Sequence, residues 1–415
     1  MSDLELVTVG TELLLGFTVD TNSAEIARAL AALGVRVVRR TSVADDPDAI
    51  RDVVSAALRR TGVVLTTGGL GPTRDDITKK VIADLYGAPL DFDETVWVEL
   101  VERFQRLGRV PSPSNRSQAE VPRGADVLRN RWGTAPGLWM DGAPGLVIML
   151  PGVPGEMREL LEHEVAPRLA DRAGDKVIRS RVVRTTGIPE SALAERLGQI
   201  ERDVAPLTLA YLPGTEGVDL RLTAWRLSPE DAELRLAAAA ARLKALAGEH
   251  AYGQGDESLA AAVLQAARQA GRRIAVAESC TGGLLGGRLT DVPGSSDVFV
   301  GGVVTYADAA KTALAGVPAT LLEAHGAVSE PVAGALAAGA ALRLGTDLAI
   351  AVTGVAGPGG GSAAKPIGTV CYGIFDRGKT VTRRMALVGD RSEIRARAVQ
   401  AGLYLLWRQL SFSDS

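Results

Sequence analysis

The residues best suited to chemistry are Ser279 and Lys311. In Ala275-Val276-Ala277-Glu278-Ser279-Cys280-Thr281-Gly282-Gly283 an apolar run breaks into a hydroxyl and two glycines, and Leu284, Leu285 and Leu289 follow at helical spacing. The pattern predicts strand, sharp turn, helix. A hydroxyl at such a turn stands at a helix N-terminus, where free N–H groups and the dipole favour negative charge. That suits a nucleophile whose oxyanion needs donors, and it equally suits a plain helix cap. Lys311 lies 32 residues further on, at the next strand-to-helix junction. Ser with an uncharged Lys is a known nucleophile–base pairing, and burial would supply the uncharged amine. The simpler reading is a surface Lys on the first turn of a helix, a position that opposes the dipole.

The scarcity of other bases sharpens this pairing. Only His163, His250 and His325 are present, so an imidazole base is not favoured and a His-rich metal centre is excluded. His325 is the one remaining base candidate, although lone loop histidines are mostly structural. There are seven lysines against 39 arginines. A lysine kept in so Arg-rich a chain hints at proton transfer, because Arg does not give up its proton. Cys280 competes as a nucleophile, but a small residue beside a turn reads first as packing.

A second group of polar loops lies near the amino terminus. An apolar strand at Val63-Val64-Leu65 runs into Thr66-Thr67-Gly68-Gly69-Leu70-Gly71-Pro72-Thr73-Arg74-Asp75-Asp76. Such glycines let N–H groups close on a phosphate, and Asp75 with Asp76 could hold a divalent cation bridging phosphates. The alternative is that the glycines only turn and the two aspartates cap a helix from Asp75 to Tyr86. The loop is neither Gly-x-Gly-x-x-Gly nor a P-loop. Gly10-Thr11-Glu12, continuing to Asp20-Thr21-Asn22, is expected to face the same crevice. On the phosphate reading, with the turn-and-cap alternative still open, the amino-terminal nucleotide candidates are Gly10, Glu12, Asn22, Gly68, Gly69, Gly71 and Thr73, and the metal candidates Asp20, Asp75 and Asp76.

The elements needed to position these residues follow from the apolar pattern. Leu4–Val9, Val35–Val43 and Val63–Leu65 read as strands, alternating with helices at Thr21–Leu33 (Asn22 and Glu25 as a capping box) and Pro47–Arg60. This order predicts a parallel, doubly wound sheet with ligands at the carboxyl ends of its strands. Pro111–Arg116 reads as a solvated loop or a lid. The stretch 177–250 reads as a small spacer or dimerising α+β unit, and Tyr252–Asp256 as a linker. From Ser258 the chain is again α/β, with a predicted hairpin around Asp376-Arg377-Gly378 and a final helix after Gly389-Asp390-Arg391. The tract Gly357–Gly361 is a mobile loop or an anion nest.

Composition bounds the rest. The chain has 415 residues, 46% hydrophobic and 23% charged, with a net charge of −3. Two to three domains are expected, and direct nucleic-acid binding is not favoured. There is no membrane-length apolar run and the start MSDLELV does not read as a signal peptide, so a cytoplasmic protein is expected. Two cysteines exclude a disulfide framework.

Two resemblances overlay this reading. Val9-Gly10-Thr11-Glu12, Asp20-Thr21-Asn22, the Thr-Gly-Gly-Leu-Gly-Pro-Thr-x-Asp-Asp loop, Asn115–Gln118, Gly133-Thr134-Ala135-Pro136 and Leu150-Pro151-Gly152-Val153-Pro154 resemble the amino-terminal half of the competence/damage-inducible protein A (CinA) family. The resemblance implies a molybdopterin-binding-type αβα domain over 1–170 and a metal-dependent ADP-ribose pyrophosphatase activity. Glu278–Gly283, Gly294-Ser295-Ser296, Val304-Thr305-Tyr306, Lys311, His325–Pro331, Thr353–Pro358, Lys365–Val370 and Gly389-Asp390-Arg391 are closely similar to the nicotinamide-nucleotide amidase (PncC) family, the carboxyl-terminal half of CinA proteins. That implies an αβα amidase domain over 253–415 and hydrolysis of nicotinamide mononucleotide (NMN) to nicotinate mononucleotide and ammonia, with no cofactor. Ser279 is then nucleophile, Lys311 base and Tyr306 a proton relay. Thr281, Gly282, Gly283, Ser296, Thr353, Gly357 and Arg391 surround the nucleotide, with N–H groups near Thr281–Gly283 holding the oxyanion and Arg391 the phosphate. A small α+β domain over 171–252 connects the two, and a homodimer is the expected assembly. The competing functions are an amino-terminal module that holds a pterin or nucleotide without turnover, and a competence or DNA-damage accessory acting by protein contacts.

Overall fold

In a computed structural model describing residues 3–412, those residues divide into two compact units, one of 3–179 with 223–235 and the other of 180–222 with 236–412. The first is built on six strands in the order Arg36–Val43, Asp3–Val9, Val63–Thr67, Gly145–Leu150, Gly137–Gly142, Asp126–Leu128. The first four are parallel and the last two antiparallel. The parallel core follows from the strand–helix alternation; the antiparallel edge comes from the tight connection at Gly142–Gly145, too short for a crossover. One face buries Leu4, Leu6, Ile26, Leu30 and Met157; the other buries Val7, Val9, Ile50, Val54 and Ile82.

Local chemistry sets several boundaries. Asp46 caps the helix Pro47–Thr61 through the Ala49 N–H, as its Asp-Pro opening predicts. The helix Asn22–Ala32 departs from expectation. Its N-cap is Thr21, with no capping box: Asp20 accepts from the Ser23 N–H, and Asn22 turns inward. The helix expected from Asp75 begins at Thr78, so neither Asp75 nor Asp76 caps it. The Pro111–Arg116 stretch leads into a 3-10 segment, Pro113–Ala119.

The middle stretch forms a four-stranded sheet, Thr208–Pro213, Val218–Leu227, Val177–Thr185, Ala251–Gln254. Its last strand corrects the linker expected at Tyr252–Asp256. Ala251–Gln254 pairs antiparallel with Val177–Thr185, and Tyr252 is buried, an aromatic too apolar to leave in solvent.

The carboxyl-terminal sheet runs Phe299–Val304, Ile274–Glu278, Leu348–Gly354, Thr369–Asp376, Lys379–Ala386. The first three are parallel, and the last two form the predicted hairpin. The long helices Glu330–Leu344 and Arg391–Phe412 contribute to its two hydrophobic clusters. Among the described residues no helix is long and apolar enough to cross a membrane.

Candidate functional site

Strand register builds the carboxyl-terminal site. Glu278 lies opposite Val304 on one side and Val352 on the other. Three parallel strands therefore end at one level, and the residues after them meet at one edge. Ser279, Tyr306 and Thr353 all arrive there and line one cavity of about 200 Å³ with Asp308, Lys311 and Arg391. Lys311 comes from the first turn of the helix Asp308–Ala315, which follows Phe299–Val304.

The amine of Lys311 is 1% exposed as a residue and is not left bare. It donates to the Tyr306 carbonyl at 3.2 Å and to the Asp308 carboxylate at 3.3 Å. These two acceptors leave one tetrahedral position on Nζ for a further partner. Tyr306 connects the amine to the cavity rim, because its hydroxyl accepts from Arg391 Nη2 at 3.0 Å. Arg391 Nη1 donates to the Gly357 carbonyl at 2.6 Å. Thr353 donates its hydroxyl to the Ala327 carbonyl, which holds the loop after His325 against the site.

The turn around Ser279 differs from expectation in one consequential way. The helix begins at Leu284, with Gly283 as its N-cap at φ 96°, a left-handed conformation that favours glycine. Ser279 is not the cap, because it sits on the strand end with its N–H bonded to the Val352 carbonyl. The acceptor at the helix N-terminus is the carboxylate of Glu278, which receives the N–H groups of Gly283, Leu285 and Gly286 at 2.7–3.0 Å. The Gly282 N–H donates to the Ser279 carbonyl. The expected oxyanion donors at Gly282 and Gly283 are thus already engaged inside the turn. Arg395 clamps the same turn from the last helix, donating to the carbonyls of Cys280 and Thr281. The sequence motifs assign no site role to Glu278, Asp308 or Arg395. An acidic residue just ahead of a Gly-Gly helix start is the signal that could have found the first.

Ser296 is corrected. It precedes Phe299–Val304, so in a parallel sheet it lies at the opposite edge from Ser279, exposed and outside the cavity wall. His325 is exposed and not among the lining residues. Cys280 does line the cavity, but burial pushes its thiol up to about 11, which disfavours a thiolate nucleophile at neutral pH. Arg391 also borders a neighbouring cavity of about 580 Å³, and Gly357 lines only that one, with Pro358 and Ile367.

In the amino-terminal unit the loops at the carboxyl ends of the parallel strands are stitched together. Asn22 donates to the Thr67 hydroxyl and the Gly152 carbonyl, Thr67 donates to the Pro151 carbonyl, and the Gly68 N–H donates to Leu150. Gly68 has φ 106°, and a Cβ there would lie 2.2 Å from the Val9 carbonyl oxygen, so this close approach excludes a side chain. Asn22, Gly68 and Gly69 are gathered at this crevice. The Gly10 N–H bonds to Val43, and Glu12 is exposed on the turn Thr11–Leu14. Near Gly71, Thr73 donates its N–H and hydroxyl to Asp76. Lys79, absent from the sequence reading, donates to the Ser117 carbonyl at 2.5 Å; burial lowers its amine to about 8 against the pull of Glu120 and Asp76.

The expected metal trio does not fit as a joint ligand set. Among the described residues no three His, Cys, Asp or Glu side chains cluster to hold an ion. Asp20 is taken by the Ser23 N–H and Asp76 by Thr73, each within its own turn.

A CinA-like protein of Gemmatimonas aurantiaca is 52% identical over 98% of this chain and 96% of its own. The chain belongs to the CinA-like family. A second CinA-like protein, from Nostoc sp., is 42% identical over 98% of this chain and 99% of its own. Three family models match: "Probable molybdopterin binding domain" over 5–171, "Damage-inducible protein CinA KH domain" over 180–253 and "CinA C-terminal domain" over 256–410. The crystal structure of a competence-damaged protein (CinA) superfamily protein from Klebsiella pneumoniae matches at 37% identity, over 37% of this chain and 97% of that one, with a TM-score of 0.37. One of a competence/damage-inducible protein from Agrobacterium tumefaciens matches at 42% identity, over 36% and 91%, with a TM-score of 0.35. The α/β architecture, with a molybdopterin-binding-type amino-terminal fold, a middle domain and a CinA carboxyl-terminal domain, is that of the family.

Proposed function

We propose that the carboxyl-terminal cavity hydrolyses the carboxamide of nicotinamide mononucleotide, with Ser279 as nucleophile and Lys311 as base. The observation that carries this reading is that Ser279 and Lys311 line one small cavity, with Arg391 among its lining residues. Uncharged Lys311 takes the Ser279 proton as Oγ attacks the carboxamide carbon. The proton then passes to the leaving nitrogen, and ammonia departs from an ester on Ser279. Water hydrolyses that ester to nicotinate mononucleotide. Tyr306 bridges the two ends of the site, its carbonyl on the amine and its hydroxyl on Arg391. Arg391 offers a planar fork for the substrate phosphate. With Gly282 and Gly283 N–H groups engaged, the oxyanion donor is sought at the backbone next to Ser279.

For the amino-terminal unit the reading is a nucleotide site. It is supported by the side-chain oxygen of Asn22, buried beside the glycine loop without a hydrogen-bond partner. The full chain with NMN should release ammonia and nicotinate mononucleotide equally with and without EDTA; unchanged NMN rejects the amidase. The same chain with ADP-ribose and a divalent metal separates the alternatives. AMP formation lost in EDTA supports a pyrophosphatase, whereas binding without products supports a holding module. Failure of both reactions returns the accessory role to the front. A homodimer and a cytoplasmic location are carried as parts of this proposal, the first to be read by light scattering.

A further inference from the structure

The amino-terminal unit has a second concavity that none of its expected site residues lines. A cavity of about 390 Å³ lies between the helix Glu94–Arg106 and the loop 129–136. Its size is that of a small-molecule site. Arg103 and Arg106 enter from the helix, Arg129 and Arg131 from the facing loop. Two acids, Glu99 and Glu102, share the wall, which leaves a cationic excess.

The bland explanation covers only half of these cations. Arg103 and Arg106 occupy the last turn of their helix, where the dipole favours positive charge. That account says nothing of Arg129 and Arg131, which belong to another element. Of the four, Arg129 pairs with Glu99 at 3.5 Å, and Arg103 is spent on the loop carbonyls of Arg131 and Trp132. Arg131 gives only its carbonyl to Arg103, and the guanidinium groups of Arg106 and Arg131 make no hydrogen bond or ion pair among the described residues. The loop that carries Arg131 is held from both sides. Asn130 accepts from the N–H groups of Trp132 and Gly133 and donates to Ala135 and Glu156, while Arg103 grips it from the helix. The backbone that carries Arg131 is thus held in place, while its guanidinium and that of Arg106, both exposed, are left to pair with a multiply charged anion.

We propose that this cavity binds a small phosphorylated molecule carrying at least two negative charges, with Arg106 and Arg131 as its phosphate partners. The proposal is independent of the amidase reading and of turnover at the glycine loop. Trp132, adjacent to Arg131 and 69% exposed, provides a local probe. The full chain is titrated with inorganic pyrophosphate, ADP and adenosine, and the Trp132→Phe signal is subtracted, so that binding elsewhere is removed. Pyrophosphate and ADP should each give a saturable Trp132-dependent change, weakened by salt. Arg106→Ala and Arg131→Ala should each weaken it about tenfold or more. Tighter binding of ADP than pyrophosphate assigns a nucleotide, and equal binding assigns free phosphates; both support the site. The proposal is overturned by unchanged affinity in both variants, by adenosine binding as tightly as ADP, or by no saturable change up to millimolar ligand.

Discussion

The Glu278 carboxylate accepts the Gly283 N–H at 3.0 Å, so the residue just before Ser279 closes the turn that carries it. Glu278 is 1% exposed, and its oxygens take two further N–H groups of the same helix start. A buried carboxylate facing only donors cannot be exchanged for an amide without setting a donor against a donor.

Glu278→Gln should therefore lower stability by about 1–3 kcal/mol in denaturant unfolding. In the same variant kcat for NMN should fall more than KM rises, because the hydroxyl loses its position while the nucleotide wall stays. Unaltered stability and turnover would show that the turn is held by other contacts.

Arg391 is tied to Gly357 and Tyr306, leaving part of its guanidinium for an anion. Arg391→Ala should raise KM for NMN more than it lowers kcat. The reverse pattern would reject phosphate binding and make the residue a support for Tyr306.

Cys280 gives a pH test. Burial lifts its thiol from an ordinary value of 9.0 to about 11, so the thiolate fraction at pH 7–8 is smaller than for a free thiol and grows only as the pH nears 11. Alkylation at neutral pH should be slow, and Cys280→Ala should keep NMN turnover. Loss of turnover with fold retained would move the nucleophile from residue 279 to residue 280.

Most elements were legible because apolar runs and turn residues decide them locally. The strand Ile274–Glu278, the helix capped by Asp46 and the hairpin at Asp376–Gly378 are cases in point. What was not legible turned on which partner a polar side chain finds in three dimensions. Asn22 had a local option as a capping residue and instead bonds Gly152, 130 residues away. Glu278 took the helix N-terminus that Ser279 was expected to occupy. Ser296 sits in a plausible motif, but strand direction sends it to the wrong edge of the sheet. Lys311 was legible by its rarity and by its place after a strand; its bonds to Tyr306 and Asp308 were not.

The Ser279–Lys311 pairing is tested most directly by the initial rate of ammonia release from NMN in Ser279→Ala and Lys311→Arg, each checked for an unchanged unfolding midpoint. Both rates should collapse by about a hundredfold or more, since each variant removes one half of the nucleophile–base pair. Turnover near the wild-type rate in either folded variant would contradict the account.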